Sequence, residues 1–185
     1  MIAPAAAEAL APFRRTYAEQ PLPHVDVPAL VSPALAARVR ASLTHTPFEP
    51  FDFAPRGRYE RSAAPPDPQL AAALTDIASF LAGAPLAILE ATWLRARHRS
   101  YALLRDDAPR TGTLAELVLD VSERATSEGQ LIYTHRGQPF FVANQSPGAV
   151  ALVARGPTVQ RYLRYVTHRA GDAELLRLVL SLGPA

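Results

Sequence analysis

Arg177 stands in the run ELLRLVLSL, where its near neighbours are aliphatic. If that run is a strand, alternation turns Arg177 to the same face as Leu175 and Val179. A guanidinium facing a core needs an anion, either a bound carboxylate or an internal partner such as Glu116, Asp120 or Glu174. Asp106 and Asp107 close another β-type run ahead of APRTG. They read as solvated turn formers, or as part of a polar or metal pocket in which one of them pairs with Arg105, Arg164 or a ligand amine. Tyr101 and Tyr133 lie on neighbouring runs and read as core, or as hydroxyls reaching the same pocket as Arg177. His24-Val25-Asp26 spells a His-x-Asp pair, but it sits far upstream between prolines and reads as a short lead-in strand with an exposed imidazole. Arg95, Arg97 and Arg99 alternate onto one face, as do Arg161, Leu163 and Tyr165; such an arginine row reads as solvated, or as a docking surface for an acidic partner.

Several chemistries are excluded by residue type. The chain has no cysteine, so thiol nucleophiles, disulfides and cysteine-held metals are out. All 19 basic residues among the 185 are arginine, which rules out a Schiff-base lysine and a P-loop lysine. Ser100, Ser122 and Ser127 lack a Gly-x-Ser-x-Gly setting, and neither a His-Glu-x-x-His helix nor an EF-hand loop occurs. The net charge of +2 comes from scattered arginines, which does not suit a nucleic-acid binder. With no apolar run of about 18 residues and no leader-like start, the expectation is a cytoplasmic protein without a membrane or nucleic-acid partner.

The elements that must carry these residues fall into one α+β domain, helical over 1–85 and β-rich over 86–185. PAAAEALAPFRRTYAEQ predicts a short helix interrupted or ended near Pro12, and PLPHVDVPAL a short or edge strand. Ser32 and Asp67 are candidate N-caps, each followed by proline at the first helical position. Leu35, Val39 and Leu43 mark the apolar face of one helix; Leu70, Leu74, Ile77 and Leu81 mark the other, which Gly83 ends. Between them FEPFDFAPRGRYER reads as a long loop or a bent strand. After residue 86, eight β-type runs separated by turn signals suggest an antiparallel sandwich or barrel backed by the helices, with Trp93 packed at the sheet.

Helices followed by an eight-run jelly roll resemble the double-stranded β-helix of the iron(II)/2-oxoglutarate oxygenases, especially the prolyl-4-hydroxylase-like branch. The likeness rests on PLPHVDVPALVSPALAARVRASL, on GQLIYTHRGQPFFVANQSPGAVALVARG and on DAELLRLVLSL. It implies a metal held by a His-x-Asp pair and a later histidine. The pair falls on Leu104-Arg105-Asp106, or one step later on Arg105-Asp106-Asp107, so the Asp is kept and the His is not. His98, the nearest imidazole upstream, does not match. The later histidine matches His168, nine residues before Arg177; in a rival register its place is taken by Arg164.

What the resemblance implies is an incomplete iron(II) site of Asp106 or Asp107 with His168, and a 2-oxoglutarate pocket anchored by Arg177 and flanked by Tyr101 and Tyr133. The function expected is an atypical hydroxylase or oxidase of a small molecule or peptide, or an inactive relative that keeps a carboxylate pocket. The alternatives are a metal-free pseudoenzyme acting as a binding or partner subunit, as a homo-oligomer or beside an intact paralogue, and a metal-free isomerase or cyclase with Asp106 as acid or base.

Overall fold

The computed structural model describes residues 3–107 and 109–185; the side chain of Arg105, one expected position of the missing imidazole, lies outside the described residues. In chain order the elements are α1 (Pro4–Glu19), β1 (His24–Val27), α2 (Pro33–Ser42), β2 (Glu49–Phe53), β3 (Gly57–Ser62) and α3 (Pro68–Ala82). The eight expected runs follow as β4 (Leu86–Ala96), β5 (Tyr101–Ala102), β6 (Ala115–Asp120), β7 (Leu131–His135), β8 (Gln138–Val142), β9 (Val150–Ala154), β10 (Val159–Leu163) and β11 (Leu175–Pro184). Single 3-10 turns cover Leu104–Asp106 and His168–Ala170.

All pairings are antiparallel, in the order β1-β9-β6-β11-β4-β3-β5-β10-β7-β8, with β2 on β3. The strand β3 turns the corner: Glu60–Ser62 pair with β4, while Gly57 and Arg58 pair with β5. One layer is therefore β9-β6-β11-β4, the facing layer β5-β10-β7-β8, and together they form the expected double-stranded β-helix. The helix α1 packs on α3 and β1, and α3 packs on β4.

Burial on both faces explains why β6 and β11 read as continuous apolar runs. In β11, Leu176, Leu178, Leu180 and Leu182 join the core beneath the helices with Leu74, Leu81 and Trp93. Leu175 and Val179 join a second core inside the barrel with Val118, Leu131, Tyr133 and Val153. Arg177 shares that inner face, as alternation requires.

The capping signals act as expected. Ser32 Oγ accepts the Leu35 N–H at 3.2 Å, and Asp67 Oδ1 accepts the N–H groups of Gln69 and Leu70 at 3.0 Å each. Gly83 closes α3 in the left-handed region at φ 70°. Two expectations are corrected. Pro12 does not break α1, which runs on to Glu19. Pro12 lies on the exposed side of the helix, where water can serve the carbonyl that its missing N–H leaves free. The stretch around Phe51 is a hairpin, not a loop or single bent strand: β2 and β3 pair from Glu49↔Arg61 to Phe53↔Gly57. Phe51 packs on Tyr59 across it, with ring centroids 5.0 Å apart. The hairpin needs a glycine where it meets β5, since a Cβ on Gly57 would lie 2.8 Å from the Tyr101 carbonyl oxygen. Among the described residues no helix is long and apolar enough to cross a membrane.

Candidate functional site

Between the two layers lies a hollow of about 30 Å³, room for one or two water molecules, walled by apolar Leu131 and Leu163 and by seven polar side chains. These are Tyr59, Arg95, Asp106, Asp107, Arg161, Tyr162 and Arg177. Alternation brings most of them there: Arg161 follows Val159 by two residues on β10, and Arg177 follows Leu175 by two on β11. The two aspartates arrive differently. β5 is only two residues long, and the 3-10 turn after it swings Asp106 and Asp107 over the hollow.

Each carboxylate is already engaged. Asp106 Oδ2 accepts the Tyr59 hydroxyl at 2.6 Å, and its Oδ1 lies 3.1 Å from Arg56 Nη2. Burial and this carboxylate together push the Tyr59 hydroxyl above the usual tyrosine range. Asp107 Oδ2 accepts from Arg155 Nη2 at 2.6 Å and from the Arg161 backbone N–H at 2.7 Å. Arg161 in turn donates from Nη1 to Glu116 Oε1 at 2.8 Å, and the same oxygen accepts the Tyr133 hydroxyl.

Electrostatics keep this cluster charged. Burial by itself would push the Glu116 carboxyl up, but Arg161, Arg155 and the Tyr133 hydroxyl outweigh it and hold it below the usual carboxylate range. Burial would likewise lower Arg161, yet Glu116, Tyr133 and Asp107 raise it, so it stays a cation. Burial and the adjacent Glu116 carboxylate drive the Tyr133 hydroxyl well above its ordinary value, so it remains a donor. Deeper in the barrel, Arg177 Nε donates to Asp120 Oδ2 at 3.2 Å and Nη1 donates to the Gly129 carbonyl at 2.8 Å. Among the described residues Arg177 Nη2 is buried with no hydrogen-bond partner.

Of the expected site residues, Asp106, Asp107 and Arg177 share the hollow, and His168 does not. His168 is exposed on its 3-10 turn and lines a surface groove with His98, Arg164 and Arg169. Tyr133 sits wholly inside the barrel beside Glu116. Tyr101 donates to the Ala54 carbonyl at 3.0 Å and packs against Tyr165, outside the hollow. Leu104 lines an apolar surface groove with Pro55 and Tyr162. His24 packs on Phe140 and Phe141. Arg95 and Arg97 pair with Glu60 and Glu174. Three residues of the inner cluster, Glu116, Arg155 and Arg161, carry roles that sequence reasoning did not assign. Their signal was present in the strand period, which sets Glu116 with Val118 and Arg161 with Val159 and Leu163.

An iron centre does not fit these residues. Among the described residues no three His, Cys, Asp or Glu side chains converge on a point. The two aspartates over the hollow already hold guanidinium groups, and no imidazole lines it. Arg177 is already bonded through Nε to Asp120 and through Nη1 to the Gly129 carbonyl, so its guanidinium is held by the protein before any carboxylate enters.

No protein-family model and no curated protein matches the chain. Solved structures do match over nearly its whole length. A 2OG-Fe(II) oxygenase family oxidoreductase from Burkholderia pseudomallei is 18% identical, with TM-score 0.68, covering 94% of this chain and 90% of that one. A prolyl-4-hydroxylase from Pseudomonas putida is 11% identical, with TM-score 0.70, covering 95% and 99%. A prolyl hydroxylase from Trichoplax adhaerens, solved with a hypoxia inducible factor peptide fragment, is 10% identical, with TM-score 0.73, covering 97% and 91%. Strand order, helix placement and these likenesses agree: the chain has the double-stranded β-helix fold of the iron(II)/2-oxoglutarate oxygenases.

Proposed function

We propose that the protein is a metal-independent pseudoenzyme of this fold that acts as a binding or partner subunit. The reading rests on Arg161. Its cation lies inside the barrel, bonded to Glu116, while its backbone N–H ties down Asp107. A cation in this position repels a divalent metal and supplies no lone pair to one. Glu116, Asp107 and the Tyr133 hydroxyl each hold partners within this cluster, which favours a rigid interior over a reactive one. Function then lies on the outer surface of the barrel.

The test is an anaerobic titration of the full chain with iron(II) and 2-oxoglutarate. The expected result is no charge-transfer absorbance and no thermal shift. A chelate band, or a shift that needs both components, would overturn the reading.

A second reading is favoured by the unpartnered Arg177 Nη2: a metal-free pocket for a small carboxylate. It predicts a thermal shift with 2-oxoglutarate alone. That shift should vanish in the double variant Arg177→Met/Asp120→Asn, which removes the anchor without stranding the buried aspartate.

A further inference from the structure

The turn between β4 and β5 is stitched to the segment that follows β10. Arg99 donates its N–H to the Val166 carbonyl at 2.9 Å, and the Val166 N–H donates to the Ser100 carbonyl at 2.8 Å. Val166 is fully buried, which pins the exposed residues on either side of it. The β6–β7 loop is tied to the same segment. The Arg164 N–H donates to the Gln130 carbonyl at 2.8 Å, and the Thr167 N–H donates to Glu128 Oε2 at 2.8 Å. Thr167 Oγ1 in turn accepts the Arg169 N–H at 3.2 Å.

These three segments wall an open groove of about 590 Å³. Two guanidinium groups, Arg164 and Arg169, and two imidazoles, His98 and His168, line it against one carboxylate, Glu128. The Thr167 N–H, aided by Arg169 and Arg164, holds that carboxyl below the usual carboxylate range. Other surface arginines hold carboxylates of their own: Arg58 has Asp52, Arg95 has Glu60 and Arg124 has Asp172. Among the described residues no carboxylate lies at ion-pair distance from Arg164 or Arg169, and Arg164 Nη1 meets the neutral Gln130 Oε1 at 3.1 Å. Tyr165 adds an aromatic ring to the wall, 47% exposed and backed by Tyr101 at 6.3 Å between centroids.

We propose that this groove docks an acidic segment of a partner protein, with carboxylates on Arg164 and Arg169 and an apolar side chain on Tyr165. The inference rests on the reading of the protein as a partner subunit and names the chemistry of what it binds. A guanidinium without an anion keeps its planar fork free for a bidentate carboxylate. The groove is far larger than one inorganic anion, and its basic groups come from separate segments, which suits a chain bearing several carboxylates. Arginine and tyrosine are also the residue types that carry most of the binding energy at protein interfaces.

The experiment is an anisotropy titration of the full chain with a fluorescein-labelled pentapeptide, four glutamates around a central phenylalanine, and with its glutamine counterpart. The expected result is saturable binding of the glutamate peptide, weakened by salt, with the glutamine peptide bound about tenfold more weakly or worse. Arg164→Gln/Arg169→Gln should lose about fivefold or more in affinity. Arg15→Gln/Arg38→Gln removes the same charge from exposed positions on α1 and α2 and should bind as the parent does. In ¹⁵N spectra the shifted amides should lie at 164–169. No saturable binding, equal binding of the glutamine peptide, or equal losses in the two double variants overturns the proposal. So does inorganic phosphate that shifts the same amides as strongly, which marks a small-anion site. If the groove variant does not fold, the two peptides and the shifted amides of the unsubstituted chain decide. A chelate band in the iron titration overturns the partner-subunit reading, whereas absent peptide binding without that band overturns the groove alone.

Discussion

Arg161 and Glu116 meet inside the barrel, a guanidinium nitrogen 2.8 Å from a carboxylate oxygen, and the Tyr133 hydroxyl closes on that same oxygen. Such a pair is costly to break from one side, because the partner left behind is a buried, unpaired charge. Arg161→Met and Glu116→Leu are each expected to destabilise the fold by about 3–5 kcal/mol. The double variant Arg161→Met/Glu116→Leu should cost much less than the sum of the single changes. Urea unfolding of the four proteins checks this; additive losses would show that the pair is not coupled.

The same pair fixes the acid side of the stability curve. The folded Glu116 carboxyl titrates below its ordinary value, although burial opposes this. Its contribution is therefore fully present above the unfolded-state value of about 4.3 and is lost as pH falls through the lower folded value. Unfolding midpoints should fall as the medium is acidified below that point. Glu116→Gln should flatten this part of the profile; an unchanged slope would assign the acid loss to other carboxylates.

Most of the fold was legible because its signals are local. Ser32-Pro33, Asp67-Pro68 and Gly83 mark helix ends by backbone chemistry that works wherever the helix packs. The eight runs declared themselves by apolar strands and turn residues. The β2–β3 hairpin did not, because Phe51, Tyr59 and Arg61 look like loop residues until they stack across two strands. The site was harder still. Arg177 could be placed facing inward from β11 alone, but that its partner is Asp120 depends on β6 lying beside β11. Arg161 reads as a member of a solvated row when aligned with exposed Tyr165, yet its two-residue spacing from buried Val159 and Leu163 turns it inward and leaves Arg164 outside. Asp107 meets Arg155 across 48 residues of sequence, a closure that no local pattern encodes.

Asp26 gives a pH dependence of the opposite sign. Burial lifts its carboxyl to about 6 from 3.8, despite the Asn144 N–H and His24 pulling it down. The neutral form is thus preferred in the folded chain, so stability is highest below the unfolded value and declines as pH rises from about 4 to about 6. Asp26→Asn keeps an acceptor for the Asn144 N–H and cannot ionise. It should remove that decline and stabilise the protein at neutral pH by up to about 2–3 kcal/mol. Thermal unfolding across this pH range checks it; a variant no more stable than the parent at pH 7 would show that Asp26 ionises freely.

Gly148 and Gly137 separate steric from conformational cost within one protein. Both are in the left-handed region, at φ 82° and 79°. A Cβ on Gly148 would lie 2.0 Å from the Val31 carbonyl oxygen, whereas one on Gly137 meets nothing within 4 Å. That Val31 carbonyl belongs to the segment whose N–H bonds Gly148, so neither side can retreat without losing the contact. Gly137→Ala should therefore cost only the backbone penalty, about 1–2 kcal/mol. Gly148→Ala adds a backbone clash in the loop that carries Gln145 and should cost more than about 3 kcal/mol. Equal losses in denaturant melts would mean that the β8–β9 loop can move off Val31.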